Sequence, residues 1–228
     1  MLGKLAQRFA NLAFGGSCYL CRGAAAGVLC AECDADLPRL AAPACPRCAL
    51  ATRDGALCGR CLAQPPAYDE TVAALAYAFP ADVLVQALKF RSELALAPFL
   101  GGLLASSLPR GTRVDFILPV PLSAARLRER GFNQALEIAR PVAAATGCTL
   151  APQLAERSRD TPPQVDLPLV ERARNVRGAF RCTRALPGAE VALLDDVMTT
   201  GATLAECART LLDAGADDVR VAALARAF

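Results

Sequence analysis

The apolar and polar positions of this chain predict alternating strands and helices over its last two-thirds and a different regime before that. Val191–Leu194 is apolar without alternation, as expected of a strand buried on both faces in a parallel sheet. From Ala202 the spacing becomes helical, with Leu204, Cys207, Ala208, Leu211 and Leu212 on one stripe. Gly215 closes that helix, and Val219–Leu224 reads as the next strand. Further upstream, Glu70–Phe79 predicts a strand ended by Pro80, and Ala81–Arg91 a helix with Leu84, Ala87 and Leu88 inward and Lys89 near its end. A helix over Glu93–Ser107 is expected to be disturbed by Pro98 and Gly101-Gly102. Val114–Leu118 predicts a strand running into Pro119-Val120-Pro121. The helix after Gln134 should kink or restart at Pro141. Arg157–Arg177 is irregular and Pro-containing, and Met1–Gly15 has the pattern of a short amphipathic helix.

Before residue 64 the organising residue is cysteine. Cys18-x-x-Cys21, Cys30-x-x-Cys33, Cys45-x-x-Cys48 and Cys58-x-x-Cys61 each offer two thiolates to one metal, and such pairs at short intervals are a zinc pattern. Disulfides or redox pairs are the competing reading, weakened by the lack of a secretion signal. Sequential assignment, Cys18/Cys21/Cys30/Cys33 and Cys45/Cys48/Cys58/Cys61, closes the shorter loops, with an interleaved pairing as the alternative. Four thiolates per ion leave no open position, so two structural Zn2+ per chain are expected. Gln64-Pro65-Pro66 reads as a linker, dividing a zinc module at residues 1–64 from a larger domain at 65–228.

The chemistry of the larger part concentrates after Leu194. Asp195 and Asp196 stand where the strand would emerge, followed by Thr199, Thr200, Gly201, Ala202 and Thr203. Hydroxyls and free amides at a helix start suit a phosphate monoester, and Gly201 lets the backbone approach it. The acids suit sugar hydroxyls, which donate to carboxylates. A sugar phosphate satisfies both halves, and neither a P-loop nor a dinucleotide fingerprint is present. The bland reading is an acidic turn with a Thr cap.

Arg126, Arg128 and Arg130, expected in a basic loop after the strand, precede Gly131-Phe132-Asn133-Gln134 and, with Lys89, are candidates for a diphosphate, since Arg forks bind phosphate oxygens bidentately. A solvated basic helix face is the alternative. Arg157, Gln164, Arg172, Arg174 and Asn175 fall in the irregular segment, either a basic flap over a polyphosphate or an Arg-rich surface loop.

Composition narrows the remainder. The apolar fraction of 54% is inflated by alanine, and no stretch approaches the length of a membrane span. A net charge of +3 is too small to argue for nucleic acid by itself. Histidine is absent, which excludes imidazole bases and His metal ligands. A cytoplasmic protein is expected; nothing in the chain predicts its oligomeric state.

The acidic pair and Thr-Thr-Gly-Ala-Thr resemble the phosphoribosyl pyrophosphate (PRPP) signature of type I phosphoribosyltransferases. That resemblance implies acids on the ribose hydroxyls and a loop around the 5′-phosphate. The whole chain resembles the ComF family through its cysteine pairs, Leu88-Lys89-Phe90, Pro119-Val120-Pro121-Leu122, Arg128–Gln134, Arg172 with Arg174-Asn175-Val176, and Asp195–Thr203. The resemblance implies a type I phosphoribosyltransferase-like parallel sheet flanked by helices, a small N-terminal zinc ribbon, and a link to DNA uptake in competent bacteria. The chain departs from true amidophosphoribosyltransferases in opening without their nucleophilic-Cys glutaminase domain, so glutamine-dependent amidation is not expected. Two readings stand. One is an enzyme using PRPP with Mg2+, transferring phosphoribosyl to a nitrogen acceptor. The other is a non-catalytic PRPP-binding adaptor contacting protein, the uptake machinery or single-stranded DNA.

Overall fold

The computed structural model describes residues 16–40, 43–160 and 174–228. The helix expected over Met1–Gly15, and Gln164 and Arg172, lie outside these residues.

Five strands form one parallel sheet in the order β1-β7-β6-β2-β3: β1 (Glu70–Ala76), β2 (Phe116–Pro119), β3 (Thr149–Leu150), β6 (Glu190–Met198) and β7 (Asp218–Arg226). Unbroken apolar runs give the central strands because both faces are covered. Along β6, Ala192 and Leu194 enter one apolar cluster and Val191 and Leu193 the other. Two further strands, β4 (Ala155–Arg157) and β5 (Phe180–Cys182), pair antiparallel beside the main sheet.

Helices α3 (Ala81–Arg91), α4 (Ala97–Ser107) and α6 (Gln134–Thr146) pack on the first face, and α7 (Ala202–Asp213) on the second. The first-face cluster includes Leu84, Leu88, Leu100, Leu104 and Ile138. Between β2 and α6 lies the short α5 (Ala124–Arg130). The predicted stripe of α7 is buried at Leu204, Cys207, Ala208 and Leu211, but Leu212 turns outward and is 37% exposed.

The prolines and glycines act differently from expectation. Glu93–Ser107 divides into a 3-10 turn at Leu94–Leu96 and α4, with Pro98 in the first turn, where no amide donor is needed. The α6 helix runs through Pro141 without restarting. Gly101 makes room for it: a Cβ there would lie 2.2 Å from Pro141 Cγ and 2.7 Å from the Ile138 carbonyl oxygen. We expect Gly101→Ala to cost about 1–3 kcal/mol of stability by overpacking, read as a lower urea midpoint at unchanged slope. An unchanged midpoint would mean α4 and α6 separate freely.

The cysteine-rich part is a repeat. Bridges join Ser17 to Ala24 and Ala44 to Ala51, and the residue after each second knuckle cysteine, Arg22 and Ala49, has positive φ of 65° and 55°. It includes two short helices, α1 (Ala31–Ala35) and α2 (Gly59–Ala63). The repeat is stitched to the sheet. Leu40 N donates to the Ala74 carbonyl at 3.0 Å and Ala76 N to the Pro38 carbonyl at 2.7 Å. Cys18, Tyr19 and Leu29 join one apolar cluster, and Cys45, Cys48 and Cys61 the other.

Candidate functional site

A cleft of about 630 Å³ opens at the C-terminal ends of the strands, where ligands bind in parallel sheets. Its origin is the different lengths of β2 and β6. β2 pairs with β6 only as far as Pro119 opposite Leu194, with one further bond from Val120 N to the Leu194 carbonyl at 2.8 Å. Pro121 follows, and the chain turns away. β6 continues beside β7 to Met198, so Asp195 and Asp196 lie within the strand rather than after it, on the edge β2 has left.

The acids are unequal. Asp196 is 3% exposed and its Oδ2 lies 2.7 Å from Lys89 Nζ, in the last turn of α3. Burial opposes the Asp196 charge, but Lys89 outweighs it and holds the carboxyl below its usual range. Burial likewise opposes the Lys89 charge, and Asp196 in turn raises the ammonium. Asp195 has no such partner in contact among the described residues and is pushed up to about 8, by burial first and by the charge of Asp196 second. Its Oδ1 accepts the Asp196 amide at 2.9 Å.

Cations face the acids. Ser123 caps α5, its Oγ accepting from Arg126 N at 3.4 Å, and Gly131 ends the helix at φ 80°. Arg126 and Arg130, one helical turn apart, line the cleft; Arg128 stands on the other side of α5 and is exposed. The basic segment expected as a loop is thus a helix, and its helical phase separates Arg128 from its neighbours. Arg130 Nη1 donates to Gln134 Oε1 at 2.5 Å, and its guanidinium lies 5.7 Å from the Phe90 ring centroid. Asn133 caps α6 while its Nδ2 donates to the Val120 carbonyl at 3.0 Å, fixing α5 and α6 to the end of β2. Arg157, on β4, joins the lining beside the start of α5 through a bridge with Ser123. Burial lowers the Arg130 and Arg157 guanidinium pKa values, and nearby Arg126 adds to both shifts.

The loop after β6 is divided. Thr199 and Thr203 line the cleft, whereas Thr200 Oγ1 accepts the Ala202 amide at 3.3 Å. Gly201, at φ 79°, begins α7, whose first internal bond runs from Ala205 N to the Gly201 carbonyl at 2.8 Å. The earlier amides point ahead of the helix. Gly201 is required twice over, since a Cβ would meet Tyr68 Oη at 2.7 Å as well as force an unfavourable φ.

Arg174 and Asn175 do not line the cleft; the Asn175 carbonyl accepts from Arg159 Nη2 at 3.2 Å. Tyr77 and Gln86, which no motif contains, also line the cleft, as do Phe90, Glu129 and Gln134, which belong to the sequence motifs. Their signal was helical phase: Gln86, Lys89 and Phe90 share one side of α3. A second cavity of about 430 Å³ lies at the opposite end of the sheet and contains none of the predicted residues.

Cys18, Cys21, Cys30 and Cys33 form one cluster and Cys45, Cys48, Cys58 and Cys61 another, each with its ligand atoms within 4.8 Å of one another. The sequential pairing holds. Sulfur separations of 3.7 Å for Cys21–Cys30 and 3.6 Å for Cys48–Cys58 suit tetrahedral thiolate ligation of zinc. Burial opposes ionisation of Cys18 and Cys45, but backbone amides outweigh it and hold both thiols at about 6, whereas burial and the neighbouring thiols push Cys33 and Cys61 up, so four thiolates in one cluster require a bound cation. These are structural zinc sites. Metal analysis should return about two zinc ions per chain. One or none, with the cysteines in disulfides, would remove the assignment. Because the ribbon shares both apolar clusters with the sheet, chelation should lower the melting of the whole protein rather than release a separate module.

Fold and clusters together define a double-zinc-ribbon protein built onto a parallel α/β sheet, with a cleft at the strand ends. A family model described as "Double zinc ribbon domain" matches residues 9–62. The DNA utilization protein YhgH of Salmonella typhimurium is 37% identical over 221 residues, covering 92% of this chain and 97% of that protein. Competence protein F of Haemophilus influenzae is 31% identical over 223 residues, covering 92% and 96%. The chain belongs to the ComF family, which these relatives represent. Among solved structures, one titled as the allosteric regulatory enzyme of purine biosynthesis matches 57% of this chain and 26% of its own, with 22% identity and a TM-score of 0.40. A purine phosphoribosyltransferase from Pyrococcus horikoshii matches 68% and 78%, with 18% identity and a TM-score of 0.30. Among the described residues no helix is long and apolar enough to cross a membrane.

Proposed function

We propose that residues 65–228 bind PRPP, or a related ribose phosphate, together with Mg2+, and that residues 1–64 supply the zinc-bearing support. The observation that carries this is the convergence of Asp195 and Asp196 with Lys89, Arg126, Arg130 and Arg157 in a cleft whose floor is a phosphate-type loop. Asp195 and Asp196 hold the ribose hydroxyls, Thr199–Thr203 the 5′-phosphate, and Arg126, Arg130 and Arg157 the diphosphate. Mg2+ would be held largely by ligand oxygens beside the acids and would neutralise the diphosphate. In the enzymatic reading, a nitrogen acceptor attacks the anomeric carbon, the carbon–oxygen bond to the diphosphate breaks, and pyrophosphate leaves. A role in DNA uptake or utilization follows from the names its relatives carry.

Asp195 supplies a signature. Sugar hydroxyls donating to it favour its ionised form, so its pKa falls from about 8 on binding. PRPP binding near pH 7 should therefore release a proton and tighten as pH rises from 6 to 8. Calorimetry in buffers of different ionisation enthalpy reads the release. Pyrophosphate formation from PRPP across a panel of nucleobases and amines then separates enzyme from adaptor. Failure to bind PRPP at any pH would sink the reading.

The adaptor reading has its own observation. Arg128, Arg159, Arg174 and Arg177 are exposed outside the cleft and could meet a single strand of DNA. Tight PRPP binding without turnover for any acceptor would favour it.

A further inference from the structure

The second zinc site and the loop ending β6 meet at a residue that the functional reading leaves unused. Arg226, the last residue of β7, is 1% exposed and heads the fully buried side chains by volume. Its Nε donates to the Cys48 carbonyl at 2.7 Å, and its Nη1 donates to the Met198 carbonyl at 2.9 Å and to the carbonyls of Thr199 and Ala227. These acceptors belong to a zinc knuckle, to the end of β6 and the first residue of the candidate phosphate loop, and to the chain just past β7. The knuckle is held from another side by Thr71, whose hydroxyl donates to the Arg47 carbonyl at 2.6 Å and whose amide donates to the Pro46 carbonyl at 2.8 Å. Tyr68, 2% exposed, fills the space against Gly201 and belongs to the same apolar cluster as Cys45, Cys48 and Cys61.

A buried guanidinium is tolerated only where fixed acceptors replace its water. Cys48 offers one because its thiolate is a zinc ligand, which restrains the carbonyl of the same residue. Without the metal that carbonyl is free to move, Arg226 loses an acceptor, and Met198 and Thr199 lose a fixed donor. We propose that Arg226 is a positioning residue coupling the zinc site of Cys45, Cys48, Cys58 and Cys61 to the Met198–Gly201 loop. The metal holds the loop in its binding shape, and a ligand on the loop holds the metal. This rests on the reading that the loop binds a ribose phosphate. The first zinc cluster has no corresponding link among the described residues. Coupling between sites is reciprocal and typically amounts to about 5- to 150-fold.

The test uses the full zinc-loaded chain and ribose 5-phosphate as probe. Saturating probe should slow release of one of the two zinc ions to a chelator by about 5-fold or more, leaving the other unchanged. Arg226→Gln should erase that difference and weaken ribose 5-phosphate by about 10-fold or more, with Arg226→Lys restoring part of the affinity. Affinities are measured well below melting. Leu104→Ala, which opens a cavity in the opposite cluster, serves as a destabilised control with normal affinity. If ribose 5-phosphate protects neither ion, or if folded Arg226→Gln with two zinc ions binds the probe normally, the coupling is overturned. Should Arg226→Gln fail to fold, the protection experiment on the unmodified chain decides. If the unmodified chain binds no ribose 5-phosphate, the functional reading fails instead, and hydrogen exchange decides the coupling. Loss of the second zinc should then speed exchange of the Thr199–Gly201 amides, and unchanged exchange overturns the proposal.

Discussion

Asp195→Asn is expected to weaken PRPP binding by roughly one to two orders of magnitude while leaving the folded protein as stable as before or more so. The affinity loss follows from the charged hydrogen bonds the acid would make to ribose, about 1.5–3 kcal/mol each. The stability gain follows from linkage. The folded pKa of Asp195, about 8, lies above the unfolded carboxylate value of about 4. Its contribution to stability is therefore complete below about pH 4 and lost as pH rises through about 8. The unmodified protein should lose melting temperature across that window, and Asp195→Asn should flatten the loss. Asp196→Asn behaves oppositely. Its carboxyl is held low, so its stabilisation is present above the unfolded value and lost in acid. Removing it leaves Lys89, with its side chain 24% exposed, without the partner at 2.7 Å. Breaking such a partly buried pair costs up to about 3–5 kcal/mol, less where water reaches the lysine. Melting curves from pH 4 to 9, beside calorimetric PRPP affinities, separate the two variants. If both bind PRPP normally, the acids are only part of the structure of β6 and the phosphoribosyl reading loses its main support.

The inequality of those acids was not legible in the sequence, although their presence was. Val191–Leu194 announced a doubly buried strand because four apolar residues in a row leave no polar face. The cysteine pairs announced two metal sites because thiolate spacing is local information, and the phase of α7 followed from one amphipathic stripe. How far β6 runs depended on β7: pairing of Val197 with Ala225 and Met198 with Arg226 carries it past the acids. That register is a property of two distant segments. The Lys89–Asp196 pair is likewise a contact across 107 positions, as their numbers show. β4 and β5 went unnoticed because three-residue strands separated by an irregular, Arg-rich segment leave no periodic signal. Arg226 reads in sequence as one more charge near the end of a strand, yet at 1% exposure the fold buries it as completely as core leucines such as Leu75 and Leu88. A loop lets Arg126, Arg128 and Arg130 reach the same ligand, which is why the sequence alone groups them. Once the segment is a helix, two positions apart means opposite sides.

That helical phase turns the arginines into a discriminating experiment. Arg126→Ala, Arg130→Ala and Arg157→Ala should each weaken PRPP by about 10-fold or more, on the scale of one charge-assisted hydrogen bond. They should weaken ribose 5-phosphate much less, because it lacks the diphosphate these cations would hold. The triple variant should lose about three orders of magnitude if the contacts are independent, and somewhat less if the remaining side chains rearrange. Arg130→Ala carries a second effect, since Gln134, 4% exposed, loses the donor at 2.5 Å and Phe90 loses the cation above its ring. Arg130→Lys restores the charge but not the planar fork, so it should recover only part of the affinity. Arg128→Ala is the internal control: on the exposed side of α5, it should leave PRPP binding unchanged. Single-stranded DNA provides the opposing outcome. A strand lying over the outer surface would engage Arg128 together with Arg159, Arg174 and Arg177, and its affinity would fall steeply with salt. Arg128→Ala would then weaken DNA while sparing PRPP. Equal losses of PRPP and ribose 5-phosphate in the three cleft variants would instead remove the diphosphate from this wall of the cleft.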